Sequence, residues 1–316
     1  MSIVKREQKQ PFRLSEKDKT TWKRRLFMAS FLAWPIINFF IFYVYVHIDA
    51  FGLAFQRKDS FTGEVTFSLF QFQRIWQQLT EGGELQLGLA LRNTLLFYGC
   101  GVFINLPISL FFGYFIYKKI AGYRLFRTVT YLPVIISSAA MVTLFKYAVQ
   151  DYGPLHSIMV KMGMPYQNPI TNPQTSIWVM LFYAVVFGLG SNIVVWGGAM
   201  NGIDQEILEA GQIDGCNWFQ EFRLLILPMI WPTISTVIVL GTVGILGASG
   251  PVLLFTKGEY GTRTLSYMLF EMIGRVGNGR EDFYLASAMG LCMTLITFPL
   301  AMFVKHIIYG EKKEDK

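Results

Sequence analysis

The chain has 316 residues, of which 53% are hydrophobic and only 16% charged, with a formal net charge of +7. An ordinary globular protein carries about 25% charged residues, so there is too little charge here to cover a water-facing surface, and composition argues against a soluble domain. Cys100, Cys216 and Cys292 have no regular spacing, which gives neither a disulfide framework nor a zinc pattern.

Residues 1–25 form a polar tail with Lys5, Arg6, Lys9, Arg13, Lys17, Lys19, Lys23, Arg24 and Arg25. A cleavable signal has a short charged start and a short apolar core. This tail instead leads directly into a span-length segment and is not read as a signal. Six segments then carry the roughly 20 mostly apolar residues that a membrane helix needs. They are Leu26–Val46, Thr94–Tyr117, Thr128–Tyr147, Ile177–Met200, Leu224–Leu246 and Phe283–Val304. Each Asp, Lys or Arg at a span centre costs about 2.5–3.5 kcal/mol, and none sits there. Lys146 lies at a span end, where it can snorkel. Pro35, Pro107, Pro133, Pro228, Pro232 and Pro299 fall in or at the ends of spans. There they either bend helices around a cavity or only adjust packing.

Between the first two spans, residues 47–91 are mixed in character and are expected to form a small extracytoplasmic cap. Residues 151–175 carry Gly153-Pro154, Pro165, Pro169 and Pro173 and read as irregular loop. Lys and Arg set the orientation. With both ends inside, the inner regions hold the basic tail, Lys118, Lys119, Arg124, Arg127, Arg223, Lys305, Lys312, Lys313 and Lys316. Arg57, Lys58, Arg74, Arg92, Lys146, Lys161, Lys257, Arg263, Arg275 and Arg280 are left to longer outer loops. The expected fold is therefore all-α and integral to the membrane, with six transmembrane helices over residues 26–308. Both termini are cytoplasmic, including a short tail at 309–316, and a cytoplasmic helical loop at about 201–223 joins the fourth and fifth spans.

Reaction chemistry is missing. There is no Gly-Lys dipeptide for a P-loop and no Gly-x-Ser-x-Gly elbow. His47, His156 and His306 are far apart, and no Asp, Glu or His lies deep in a span. No metal, cofactor or nucleic-acid site is expected. An integral-membrane enzyme and a self-powered carrier or channel remain as alternatives, both disfavoured. If the chain moves a solute uphill, the energy comes from another protein.

The loop between the fourth and fifth spans breaks the apolar pattern with "EAGQIDGCNWFQEFRLLILP", Glu209–Pro228. Asp204 suits an N-cap for a helix starting near Gln205, and Asn217 with Gln220 suits a capping box for a second short helix. Gly211 and Gly215, four apart, are expected on one helical face beside Ala210. Glycine in a helix costs up to about 1 kcal/mol relative to alanine, so two of them imply a close approach or a sharp turn. One reading is a docking helix with Glu209 as a charged handle. The other is an amphipathic helix lying on the lipid surface. In the fourth span, Ser191 and Asn192 follow Phe187 and Gly188. An aromatic face beside hydrogen-bonding groups suits a sugar ring, and helix packing is the simpler alternative.

The loop resembles that of the inner-membrane permease subunits of binding-protein-dependent ABC importers. Their pattern is Glu-Ala-Ala, three residues, Gly, nine residues, Ile, one residue, Leu-Pro. This chain has Glu209-Ala210-Gly211, Gly215, Leu225 and Leu227-Pro228, with Gly in place of the second Ala and Leu in place of Ile. Phe126-Arg127, Leu132-Pro133 and Trp196 resemble the sugar-type permeases related to maltose and glycerol-phosphate importers. Thr256, Gly258, Thr264 and Tyr267 are kept from a later run whose Gly-Gly-Pro is lost. The resemblance implies a bacterial or archaeal plasma (inner) membrane protein that is not itself an enzyme. It implies a type I importer moving a sugar or oligosaccharide, with Glu209, Ala210, Gly211, Asp214 and Gly215 coupling to a cytoplasmic ATPase dimer. A second permease subunit and an extracytoplasmic solute-binding protein would complete the assembly. Phe187, Gly188, Ser191 and Asn192 would lie on the solute path.

Overall fold

The computed structural model describes residues 16–58, 62–83, 85–247, 251–274 and 281–310, with side chains from 21 onward and without those of 281 and 282. Lys5, Arg6, Lys9, Arg13, Arg275, Arg280, Lys312, Lys313 and Lys316 lie outside the described residues, as do the side chains of Lys17 and Lys19.

The chain divides into two units, Met1–Leu53 and Ala54–Lys316. The first contains nearly all of helix α1 (Thr21–Ala54), which is π-helical over Phe39–Tyr45. Between Leu26 and Val46 its side chains are mostly apolar on all faces, including Phe27, Phe31, Trp34, Phe40 and Phe42, as suits a helix surrounded by hydrocarbon.

The second unit begins with a hairpin, β1 (Gln56–Lys58) against β2 (Val65–Phe67), antiparallel with Arg57 opposite Thr66. Helix α2 (Phe70–Thr80) follows, then the long α3 (Leu87–Tyr117), π-helical over Gly101–Asn105. Next come α4 (Tyr123–Ile135), α5 (Ser138–Val149), α6 (Pro154–Lys161) and α7 (Ser176–Asn201). The rest is α8 (Gln205–Ile213), α9 (Trp218–Leu246), α10 (Val252–Phe255), α11 (Leu265–Gly274) and α12 (Glu281–Tyr309). Helix α3 packs along α7, α4 along α7, and α9 along α12.

Among the described residues, five helices are long and apolar enough to cross a membrane: α1, α3, α7, α9 and α12. The third expected span is not continuous. Helix α4 and the following helical segment Ser138–Lys161 meet at 108°, and the count reaches six only if this pair is one span. The break has local causes. Pro133 removes a backbone donor, Ile136 is extended (φ −78°, ψ 142°), and Ser137 starts a new helix by accepting from the Ala140 N–H at 3.3 Å. The 151–175 segment is not wholly irregular either. Pro154 opens α6 at the first helical position, where its missing N–H costs nothing.

Among the described residues, three buried clusters organise this unit. Leu110, Tyr114, Trp196, Met200, Ile203, Leu208, Ile226 and Ile230 close the end that carries α8. Phe97, Val142, Met180, Tyr183, Val252 and Phe255 fill the middle and far end of α3, α5 and α7. Leu87, Ala90, Leu265, Met268, Leu285 and Met289 join α3, α11 and α12. Outward-facing Phe103, Phe111, Leu240, Leu295, Phe298 and Phe303 stand exposed on the same helices. That much apolar surface needs lipid or another chain to cover it.

Candidate functional site

The candidate site is the loop from α7 to α9. The Asp204 side chain accepts from the Glu206 N–H at 3.3 Å and starts α8 as an N-cap. Leu208 and Gly211 are the buried residues of α8, while Glu209, Ala210, Gln212, Ile213 and Asp214 face outward. Ile213 is 87% exposed. The outward face thus offers Glu206, Glu209 and Asp214 around an apolar tip.

The two glycines do different jobs, and they do not share an outward face. Gly211 points inward, where a Cβ would stand 2.5 Å from Leu225 Cδ1. Gly215 lies beyond the end of α8 at φ +80°. The Cys216 N–H bonds to the Gly211 carbonyl at 3.0 Å and the Gly215 N–H to the Gln212 carbonyl at 3.1 Å. This pair of bonds is the Schellman motif, which requires a left-handed residue at that point. Gly215 therefore ends the helix, and Gly211 holds it to the body.

The Gly211 contact links two departures from the permease pattern. Room left by the missing methyl at 211 is taken up by the end of Leu225. Gly211→Ala alone is expected to be nearly neutral, because about 1 kcal/mol of overpacking against a leucine tip that can move offsets up to about 1 kcal/mol gained in helix propensity. Leu225→Ile shortens that reach and should turn the same change into a net gain. Thermal unfolding of the four chains in detergent, compared as a double-mutant cycle, checks this; additive effects would exclude a shared contact.

Asn217 then builds the capping box. Its Oδ1 accepts from the N–H groups of Phe219 (3.1 Å) and Gln220 (2.9 Å), and Gln220 Oε1 accepts from the Asn217 N–H at 2.9 Å. The first turns of α9 are π-helical over Glu221–Ile226. Glu221 is only 4% exposed. The Lys118 ammonium, at the end of α3, lies 2.7 Å from one of its oxygens and donates to the other at 3.0 Å. One turn earlier the Tyr114 hydroxyl donates to the Trp218 carbonyl at 3.1 Å, and its ring lies 4.9 Å from that of Phe222. Sequence reasoning missed this clamp; Lys118 counted there only as an orientation charge. The available signal was an acid placed among Phe219, Phe222 and Leu224. Nearby, Trp196 Nε1 donates to Ser109 Oγ at 2.9 Å, fixing α7 to α3.

The second group of expected residues is less unified. The Phe187 ring packs against Tyr183 (4.7 Å) and Phe145 (5.9 Å) in an aromatic cluster. Ser191 is exposed, and its hydroxyl donates to the Gly188 carbonyl of its own helix at 3.1 Å. Asn192 donates to Asn105 Oδ1 at 2.8 Å, and Asn105 Nδ2 donates to the Val185 carbonyl at 3.1 Å. Asn105, last residue of the π-helical segment in α3, was not singled out from the sequence. Phe187 thus serves packing, while Ser191 and the Asn105–Asn192 pair present the polar groups.

The far end is built around 251–265. Asn93 Nδ2 donates to the carbonyls of both Gly261 and Arg263 at 2.8 Å. Lys146 Nζ reaches the Phe255 carbonyl at 2.9 Å, so this span-end lysine caps α10. The retained residues of the later permease run meet here. The Tyr267 hydroxyl donates to the Lys257 carbonyl at 2.7 Å, and Thr264 Oγ1 accepts from the Tyr267 N–H at 3.4 Å. In the connection before α7, Tyr166 donates to the Val149 carbonyl. Burial, and then the Asp151 carboxylate, push its phenol up, so it remains a neutral donor through the physiological range.

Residues 105–309 match the family described as "Binding-protein-dependent transport system inner membrane component". The chain is similar to a probable ABC transporter permease protein of Bacillus subtilis (YesP), with 27% identity covering 95% of this chain and 97% of the relative. It is similar to the arabinooligosaccharides transport system permease protein AraP of the same organism, with 28% identity covering 69% and 67%. Its fold is similar to a chain in the crystal structure of a bacterial alginate ABC transporter in complex with alginate pentasaccharide-bound periplasmic protein. That match has a TM-score of 0.77 and 21% identity, covering 91% of this chain and 96% of that one.

Proposed function

Because the chain belongs to the family of binding-protein-dependent transport system inner membrane components, we propose that it forms the translocation path of a type I importer for a sugar or oligosaccharide, with α8 as its docking helix on a cytoplasmic ATPase dimer. It is a multi-pass membrane permease subunit, and in this family ATP hydrolysis belongs to a separate subunit. A second permease subunit and an extracytoplasmic solute-binding protein complete the proposed assembly. The arabinooligosaccharide relative and the alginate transporter favour a carbohydrate. Ser191 and Asn192, rather than Phe187, are the hydrogen-bonding groups proposed to meet it.

The observation that carries the coupling reading is the division of α8. Its inward face is fixed by Leu208 and Gly211, and its outward face is acidic with an apolar tip. A photoreactive residue at the exposed Gln212 position, in the full chain in its own membranes, should form an adduct with an ATPase subunit. Adducts with lipid alone would favour the lipid-surface helix and overturn the docking reading.

Orientation is part of the proposal, with both termini and α8 in the cytoplasm. The basic residues Lys118, Lys119, Arg124 and Arg127 at the α8 end support it. Reporters fused after Lys119 or Gly310 are expected to read cytoplasmic, and those after Gly63 or Gly163 external. One reversed reading would remove the assignment.

A further inference from the structure

We propose that α3 is the lever by which the docking loop acts on the solute path, with Lys118 and Glu221 as its positioning residues. The proposal rests on the docking reading above and names how the load leaves the loop.

Glu221 is the anomaly that points there. Residues 217–220 and Arg223 are exposed, yet the Glu221 carboxylate is buried. Arg223, two positions on, faces another side of the helix. The partner comes instead from a different span, Lys118 at the end of α3. A buried ion pair is weak evidence for stability, since apolar residues of similar volume often serve as well. What the pair does fix is register. It ties one point of the loop to one point of α3.

A second bond supports the same alignment. Tyr114 lies one turn before Lys118, on the same face of α3. Its hydroxyl holds the Trp218 carbonyl and its ring meets Phe222. Two positions on α3 are thus joined to the start of α9, so the loop cannot slide along α3 without breaking both.

The other end of the lever is Asn105. It lies thirteen residues before Lys118, about 20 Å away along a helix rising 1.5 Å per residue. Leu106–Tyr117 between them is uninterrupted α-helix. Asn105 accepts from Asn192 across the interface with α7 and closes the π-helical segment Gly101–Asn105. Such segments are rare and frequently found at functional sites. A rigid rod therefore runs between a polar clamp at the docking loop and a polar clamp beside Ser191, with an irregular turn just beyond.

The test uses the full chain assembled with its ATPase, with the three native cysteines changed to serine and Ser191→Cys as a reporter. Maleimide labelling is measured with and without ATP and vanadate, alongside retention of the ATPase. Under the native Lys118–Glu221 pair the labelling rate should change about fivefold or more on nucleotide trapping. Glu221→Gln, which keeps shape and removes charge, should retain the ATPase and lose that response. The exchange Lys118→Glu with Glu221→Lys should restore it. A full response in Glu221→Gln, no response with the native pair, or no restoration by the exchange overturns the lever. Loss of the ATPase from the native-pair chain would instead defeat the docking reading itself.

Discussion

Replacing Glu209 with lysine is expected to reduce uptake at least about tenfold while the chain still accumulates in the membrane. Glu209 is exposed on α8, away from the Leu208 and Gly211 face, so no internal contact of the fold depends on it. At a docking contact the effect is different. Exchanging a carboxylate for an ammonium turns attraction into repulsion at a partly desolvated surface, where about 2 kcal/mol or more is usual, equivalent to about thirtyfold in affinity. The lipid-surface reading gives the opposite expectation, because an added lysine is favoured beside anionic headgroups. Uptake and ATPase retention measured in the same membranes separate the two. Wild-type values for both would sink the coupling assignment.

Asn93→Leu should have the largest effect on stability. The side chain is 2% exposed, and its amide donates to the Gly261 and Arg263 carbonyls at 2.8 Å each. Leucine matches its size and leaves two acceptors unpaired, at about 1–3 kcal/mol apiece when buried. A combined loss of about 2–6 kcal/mol is expected, read as a lowered unfolding midpoint in detergent. The 251–265 segment should also loosen, and trypsin should cut faster after the exposed Lys257. An unchanged midpoint and cutting rate would show that these carbonyls find other partners.

The sequence exposed what depends on neighbours along the chain. Continuous apolar runs marked the long helices, and Asp204 and the Asn217–Gln220 pair gave correct helix starts. The two loop glycines implied a close approach or a sharp turn without showing which; the approach is at Gly211 and the turn at Gly215, and their assignment to one face was wrong. A left-handed φ at 215 cannot be told from a helical one by spacing alone. The break at Ile136–Ser137 was also hidden, because an isolated Pro133 is compatible with a mild kink as well as a full turn of direction. Least legible were contacts between distant residues. Lys118 and Glu221 are 103 positions apart, and Asn105 and Asn192 are 87 apart. Nothing in a single sequence marks such partners. The candidate solute residues shared this limit. Phe187 and Asn192 are close in the chain, but one joins an aromatic core and the other a polar bridge.

The π-helical turns at Glu221–Ile226 give this stretch one residue of slack in length. Such a turn accommodates one residue more than an α-helical one. Removing one residue between Phe222 and Leu225 would let it relax to α-helix, and α9 would stay continuous and equally apolar. The residues on either side would keep their faces, so Glu221 would still meet Lys118 and the acidic face of α8 would keep its aim. The α-helical stretch Leu227–Val243 has no such slack. A residue removed there would rotate everything before it by about 100°, the angle each residue subtends in an α-helix, relative to the rest of the helix. Point substitutions here change the strength of contacts, whereas a change of length outside the wide turn changes their aim.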